Sequence, residues 1–169
     1  MRSMIWVRSA SLAILAIASP GCYSFQGGGG LPSHIQTAYV APVENETTRF
    51  GLSEELTQGL LAATRERLGL QLATEESADA IISATVTRFA DAAVNLQGQE
   101  GVGADVITRR ITISATVAIV DAVNNIYIFQ QSVVGVGEYE PQSDTDEVGT
   151  AVALDNLVQQ VVDGAQSQW

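Results

Sequence analysis

The sequence predicts an α+β fold: a two-layer sandwich in the order β-α-β-β-β-α, with two helices on one face of a four-stranded mixed sheet. Three observations predict it. Apolar residues recur at helical spacing in two segments, one after the first strand and one at the C-terminus. Apolar and hydroxyl residues alternate with period two in two long segments between them. One helical crossover follows the first strand, which makes that strand parallel to a neighbour and leaves the rest as an antiparallel meander.

Residues 1–21 read as a secretory signal. Arg2 and Arg8 make a positive start, and Ser9 to Ser19 is an uncharged, mostly apolar run too short to span a bilayer. The chain's only cysteine, Cys22, follows small residues, which predicts cleavage before it and lipid attachment to its thiol. Ala16-Ile17-Ala18 is a rival, ordinary cleavage site. Residues 22–34, rich in Gly and Ser, form a tether, and 35–169 form one domain.

Within that domain, Ile35 to Val43 reads as the first strand, with Pro42 marking its exit. Residues 44–51 read as a polar loop. Leu52 to Leu68 reads as a helix capped by Ser53, with Leu52, Leu56, Leu60 and Ala63 as its buried stripe and Gly69 as its stop. A short "LQLA" and a capped turn over 74–80 follow. Ala80, Ile82, Ala84 and Val86 make one face of the second strand; Ile107, Ile111, Ile113, Val117 and Ile119 belong to the third. A glycine-rich tip over 97–103 joins them. Asn124-Asn125 turns the chain into a last strand, Ile126 to Gly137. After an acidic loop, a helix runs from about Asp144 to Ser167. Ser143 and Asp146 are its expected capping box, and Val148, Ala151, Val152, Val158, Val161, Val162 and Ala165 its expected stripe.

Composition narrows function. The 169 residues carry a net charge of −11 and contain no lysine. Removal of Arg2 and Arg8 leaves six arginines against nineteen acids, or −13. Such a field disfavours nucleic acid. A lone histidine, His34, and a tethered cysteine provide no common catalytic triad, so no enzyme activity, cofactor or metal is expected. The paired acids at 54/55, 75/76 and 144/146 suit helix starts and turns.

One local exception is Arg109-Arg110 near the start of the third strand. Alternation sends Arg109 to the helix-covered face and Arg110 to the open face. Both are candidate anion contacts, because the arginine fork suits phosphate; Arg88 is a possible cross-strand neighbour. The alternative is a solvated strand end paired with Asp91 or Asp105.

The chain resembles the LptE family. The matching residues are Cys22-Tyr23-Ser24-Phe25 with the glycines after them, Leu31-Pro32-Ser33-His34-Ile35 entering "AYVAPVENET", "GLSEELTQGL" at 51–60, "ESADAIISATVTRF" at 76–89, and a C-terminal helix ending at Trp169. The resemblance implies an outer-membrane lipoprotein, anchored through Cys22 at the periplasmic face. It implies that the chain plugs an LptD-type β-barrel, helps it assemble, and contacts lipopolysaccharide, for which Arg109 and Arg110 are position-compatible candidates. The competing expectation is a periplasmic lipoprotein that carries a lipid or small ligand, which predicts an apolar cavity beneath the helices.

Overall fold

The computed structural model describes residues 31–97 and 105–167. The leader, Cys22, most of the tether and the glycine-rich hairpin tip lie outside them. The elements are β1 (Thr37–Val40), β2 (Glu44–Asn45), α1 (Leu52–Glu66), β3 (Gln71–Leu72), β4 (Ala80–Gln97), β5 (Asp105–Asp121), β6 (Ile126–Tyr139) and α2 (Asp146–Ser167). One mixed sheet runs β3-β1-β4-β5-β6, with β2 also paired to β4.

The α+β class and the two helices on one sheet face are as predicted. The sheet holds six strands rather than four, because two short segments join it. β2 comes from the expected polar loop and pairs in parallel with Thr85 and Val86; β3 is the "LQLA" segment and pairs in parallel with β1. The first strand is shorter than expected. Ile35 is tied back to the Pro32 carbonyl in a turn, and the strand starts at Thr37, where the Asp79 carboxylate accepts the backbone N–H groups of Gln36 and Thr37 at 3.0 and 2.9 Å.

The long strands β4, β5 and β6 carry the architecture. In β5 the odd residues from Ile111 to Ile119 are all buried beneath the helices, Asp121 is buried at the strand's end, and the even residues face outward. β4 keeps this order only as far as Val86. There the register against β5 shifts, so Val86 faces Ala115 but Arg88 faces Ser114. The extra residue is a β-bulge, and it flips the alternation. Even residues face the helices before it; Phe89 and Asp91, odd, face that side after it. A second shift, where Ile119 faces Phe129 and Val120 faces Tyr127, leaves Ile128 and Phe129 both buried in β6.

Helix α1 buries Leu52, Leu56, Leu60 and Ala63, as the spacing predicts, and also Thr64. Burying each leucine contributes about 1.5–3 kcal/mol. Ser53 is not the cap. Gly51 holds that place at φ 89°, a left-handed conformation suited to glycine, and the Ser53 hydroxyl inside the first turn donates to the Val43 carbonyl. Gly69, at φ 69°, follows the helix end as expected.

Helix α2 departs further. Its second half buries Val158, Val161, Val162 and Ala165 as predicted. In its first half Val148 and Val152 are 46% and 44% exposed and Ala151 is exposed, whereas Gly149, Thr150, Ala153 and Leu154 are buried. The cause is close approach. A Cβ on Gly135 of β6 would lie 1.9 Å from the Ala153 carbonyl oxygen, and one on Gly137 would lie 2.0 Å from that of Gly149. The small residues therefore face the sheet, and the valines turn away. The expected capping box is absent too: the Ser143 hydroxyl makes only long contacts, to the Glu140 carbonyl at 3.5 Å and the Asp144 carboxylate at 3.3 Å, while Asp146 pairs with Arg49.

The edge of β6 is closed by the same helix. Asn156 and Gln160 donate side-chain amides to the Val136 and Val134 carbonyls at 2.7 and 2.8 Å. Outward carbonyls at a sheet edge invite pairing with another chain, and these two are occupied.

Candidate functional site

The strands give the molecule two poles. β1, β4 and β6 start at one pole and β5 ends there; β4 and β6 end at the other, where β5 starts and α2 begins. Arg109 and Arg110 lie near the second pole, twelve and eleven residues along β5 from Asp121, or roughly 35–40 Å.

Each arginine is held by a carboxylate on a neighbouring strand. Arg109, on the helix-covered face, donates from Nε to both oxygens of Asp91 at 2.9 and 3.2 Å. The Tyr139 hydroxyl donates to the same carboxylate at 3.0 Å. Burial, then that hydrogen bond to Asp91, pushes the Tyr139 phenol up in pKa, so it serves as a neutral donor. The β4 bulge makes this trio possible, because without it Asp91 would point to the open face. Arg110, on that open face, donates to Glu138 from Nε at 2.9 Å and from a terminal nitrogen at 2.6 Å.

The two guanidinium groups thus flank β5 on opposite sides and do not converge on one ligand position. The pairing of Arg109 with Asp91 follows one of the sequence alternatives; the partner of Arg110, Glu138, was not foreseen. Arg88 is not their cross-strand neighbour. It lies opposite Ser114, while Arg110 lies opposite Ala92, four residues or about 13 Å further along.

Sequence reasoning missed Arg49. Its guanidinium pairs with Asp146 of α2 at 2.7 Å and lies over the Phe89 ring at 5.5 Å. It links the loop before α1, the outer part of β4 and the start of α2. The next residue, Phe50, is 94% exposed. A lone arginine in a polar loop carries no periodic signal, so only the fold could bring it to this pole. With Arg109 and Arg110 it places three of the six arginines beyond the leader at this pole of a strongly acidic chain.

The opposite pole is built around Asp121. Its buried carboxylate accepts from the Asn124 side chain at 2.8 Å, the backbone N–H groups of Asn124 and Val123 at 2.9 Å, and His34 Nε2 at 2.7 Å. The Asn124 amide first, with the backbone of Asn124, His34 and the backbone of Val123 after it, holds the Asp121 carboxyl down at about 2 despite burial. His34, the last residue of the predicted tether, is thereby clasped to the β5–β6 turn.

A cleft of about 470 Å³ lies between the two helices. Gly59, Ala62, Leu154 and Val158 give it an apolar lining, and Glu54, Glu55, Glu66, Arg67 and Asp155 also border it. Among the described residues, no group of three or more His, Cys, Asp or Glu side chains could hold a metal ion, and no helix is long and apolar enough to cross a membrane.

Comparison with known proteins bears on this arrangement. The family model described as LptE, lipopolysaccharide-assembly, matches residues 35–165. No curated protein matches the sequence. Among solved structures, the chain is similar to the hypothetical protein CT253 from Chlamydia trachomatis at 12% identity and a TM-score of 0.53, over 76% of this chain and 94% of that one. It is also similar to the PelC dodecamer from Paraburkholderia phytofirmans at 13% identity and a TM-score of 0.52, over 83% and 94%. At these identities the likeness is one of fold.

Proposed function

Since the chain belongs to the LptE family of lipopolysaccharide-assembly proteins, we propose that it is a lipid-anchored outer-membrane plug and assembly partner for an LptD-type β-barrel. The structural observation that carries this reading is the uncovered sheet face. The helices occupy one side only, and the other presents Ser83, Thr85, Thr112, Ser114 and Thr116 across two adjacent strands. Small hydroxyl side chains suit a wet, polar wall such as a barrel lumen. Cys22 is the anchor in this reading, and Arg49, Arg109 and Arg110 are the groups for lipopolysaccharide phosphate. The carboxylates beside them set the condition of binding: a phosphate must compete with Asp91, Glu138 or Asp146. That requires direct contact and gives no long-range steering.

Solubilising outer membranes in mild detergent and capturing the full chain tests the partnership. The expected outcome is one stoichiometric β-barrel partner. Capture of the chain alone, from membranes that contain such a barrel, would sink the proposal.

The cleft between the helices supports the second reading, a carrier of a small apolar ligand. It differs from that expectation in place, because it lies between the helices instead of beneath them, where α2 touches the backbone of β6. Its acidic border repels fatty-acid and lipid A anions, so any occupant is a neutral or cationic apolar molecule.

A further inference from the structure

We propose that the tip of the β5–β6 hairpin rests on the bilayer surface beside the anchor; this depends on the reading of Cys22 as the lipid-bearing residue. The tip exposes three apolar or aromatic side chains in five residues. Val123 is 65%, Ile126 46% and Tyr127 61% exposed. Exposed tips of this kind are usually polar, and Asn124 and Asn125 alone would complete the turn. A tyrosine beside aliphatic residues matches the chemistry of a membrane interface, where a ring lies among headgroups with its hydroxyl wet.

The occupant is set by where the tether leaves. His34 is bonded to Asp121 and lies 3.2 Å from the Asn124 amide, both in this hairpin. Leu31, the first described residue, is nine residues from Cys22, so the two are at most about 30 Å apart. An acylated Cys22 therefore keeps this pole, and not the arginine pole some 35–40 Å beyond it, next to the membrane. The charges around the tip define which lipid it meets. Asp121 and Asp79 are tied into hydrogen bonds, and Ala122 donates its N–H to the Asp79 carbonyl at 2.8 Å, which brings the 74–79 turn alongside. That turn carries exposed Glu75 and Glu76. The contact is thus apolar, insensitive to salt on zwitterionic headgroups, and weaker on anionic ones.

The test uses the processed protein isolated from membranes, in which acylation leaves a newly introduced cysteine as the only free thiol. Val123→Cys, or Tyr127→Cys should the first fold poorly, carries a nitroxide label; Thr145→Cys, exposed at the other pole, is the control. In phosphatidylcholine vesicles, the accessibility of the tip label to a water-soluble nickel complex should fall severalfold relative to detergent, while the control stays constant. Replacing half the lipid with phosphatidylglycerol should weaken the effect. An acylated protein whose tip label stays as accessible as the control overturns this inference alone. A mass without acyl groups overturns the anchor and the inference with it. Protection only when a barrel partner is added assigns the tip to protein and overturns the membrane contact.

Discussion

Asp121 shows how much one side chain can hold at the residue scale. Its folded pKa is about 2, below that of an unfolded aspartate near 3.9. A depressed acid contributes stability that is fully present above the unfolded value and is lost as pH falls through the folded one. The domain should therefore lose stability between about pH 4 and pH 2, and Asp121→Asn should flatten that part of a stability-versus-pH profile measured by urea unfolding. Equal acid slopes in the two proteins would remove Asp121 from this role. Arg109 and Arg110 make the second residue-scale prediction. Both are partly exposed pairs, which contribute little to stability. On the proposed function, the Arg109→Ala, Arg110→Ala double variant should fold and still bind the proposed barrel partner, yet bind lipopolysaccharide at least about tenfold more weakly, because charge-assisted hydrogen bonds to phosphate contribute about 1.5–3 kcal/mol each. Unchanged lipopolysaccharide binding would leave them as strand-end ion pairs.

Among the elements, α2 shows where sequence reasoning succeeds and where it stops. A stripe built from bulky apolar residues finds Val158, Val161 and Val162, because there the interface is filled by side chains. It fails over 148–153, because there the interface is backbone against backbone, and the residues that permit it are Gly149 and Ala153. Nothing in hydrophobicity marks a glycine as buried; only Gly137, twelve residues upstream, explains Gly149, as Gly135 explains Ala153. Gly137→Ala should overpack this contact and cost about 1–3 kcal/mol or more, seen as a Tm several degrees lower. A variant with the wild-type Tm would mean that the helix can lift off without loss. Val158→Asp, which places an unpaired charge where only 3% of the residue is exposed, should abolish cooperative unfolding altogether. Retained cooperativity would refute the assigned helix face.

For the whole molecule, the class, the helix order and the antiparallel meander were legible, because β4, β5, α1 and half of α2 repeat their patterns over many residues. The two-residue strands were not, since Glu44–Asn45 and Gln71–Leu72 are too short to have a period. The place of Arg109 and Arg110 at one end of the sheet was legible from the strand pattern, but the clasp of His34 on Asp121 and the arrival of Arg49 at the arginine pole depend on tertiary contact. If the anchor reading holds, the intact mass of the protein from native membranes should lack residues 1–21 and carry acyl groups. A chain starting at Ser19 with a free thiol would overturn it.

The bulge in β4 makes the strand behave like a coding sequence with a shifted reading frame. Up to Val86 the even residues face the helices, and after it the odd residues Phe89 and Asp91 do; β5, which keeps one alternation from Arg109 to Ile119, is the reference frame. Removing Thr87 would not merely shorten a loop-like irregularity. It would put the residues just beyond it out of phase, turning Phe89 away from Arg49 and Asp91 away from both Arg109 and Tyr139. Conversely, an extra residue inserted between Arg88 and Phe89 would have the same scrambling effect. The arginine pole is therefore maintained by a count of residues as much as by their identities.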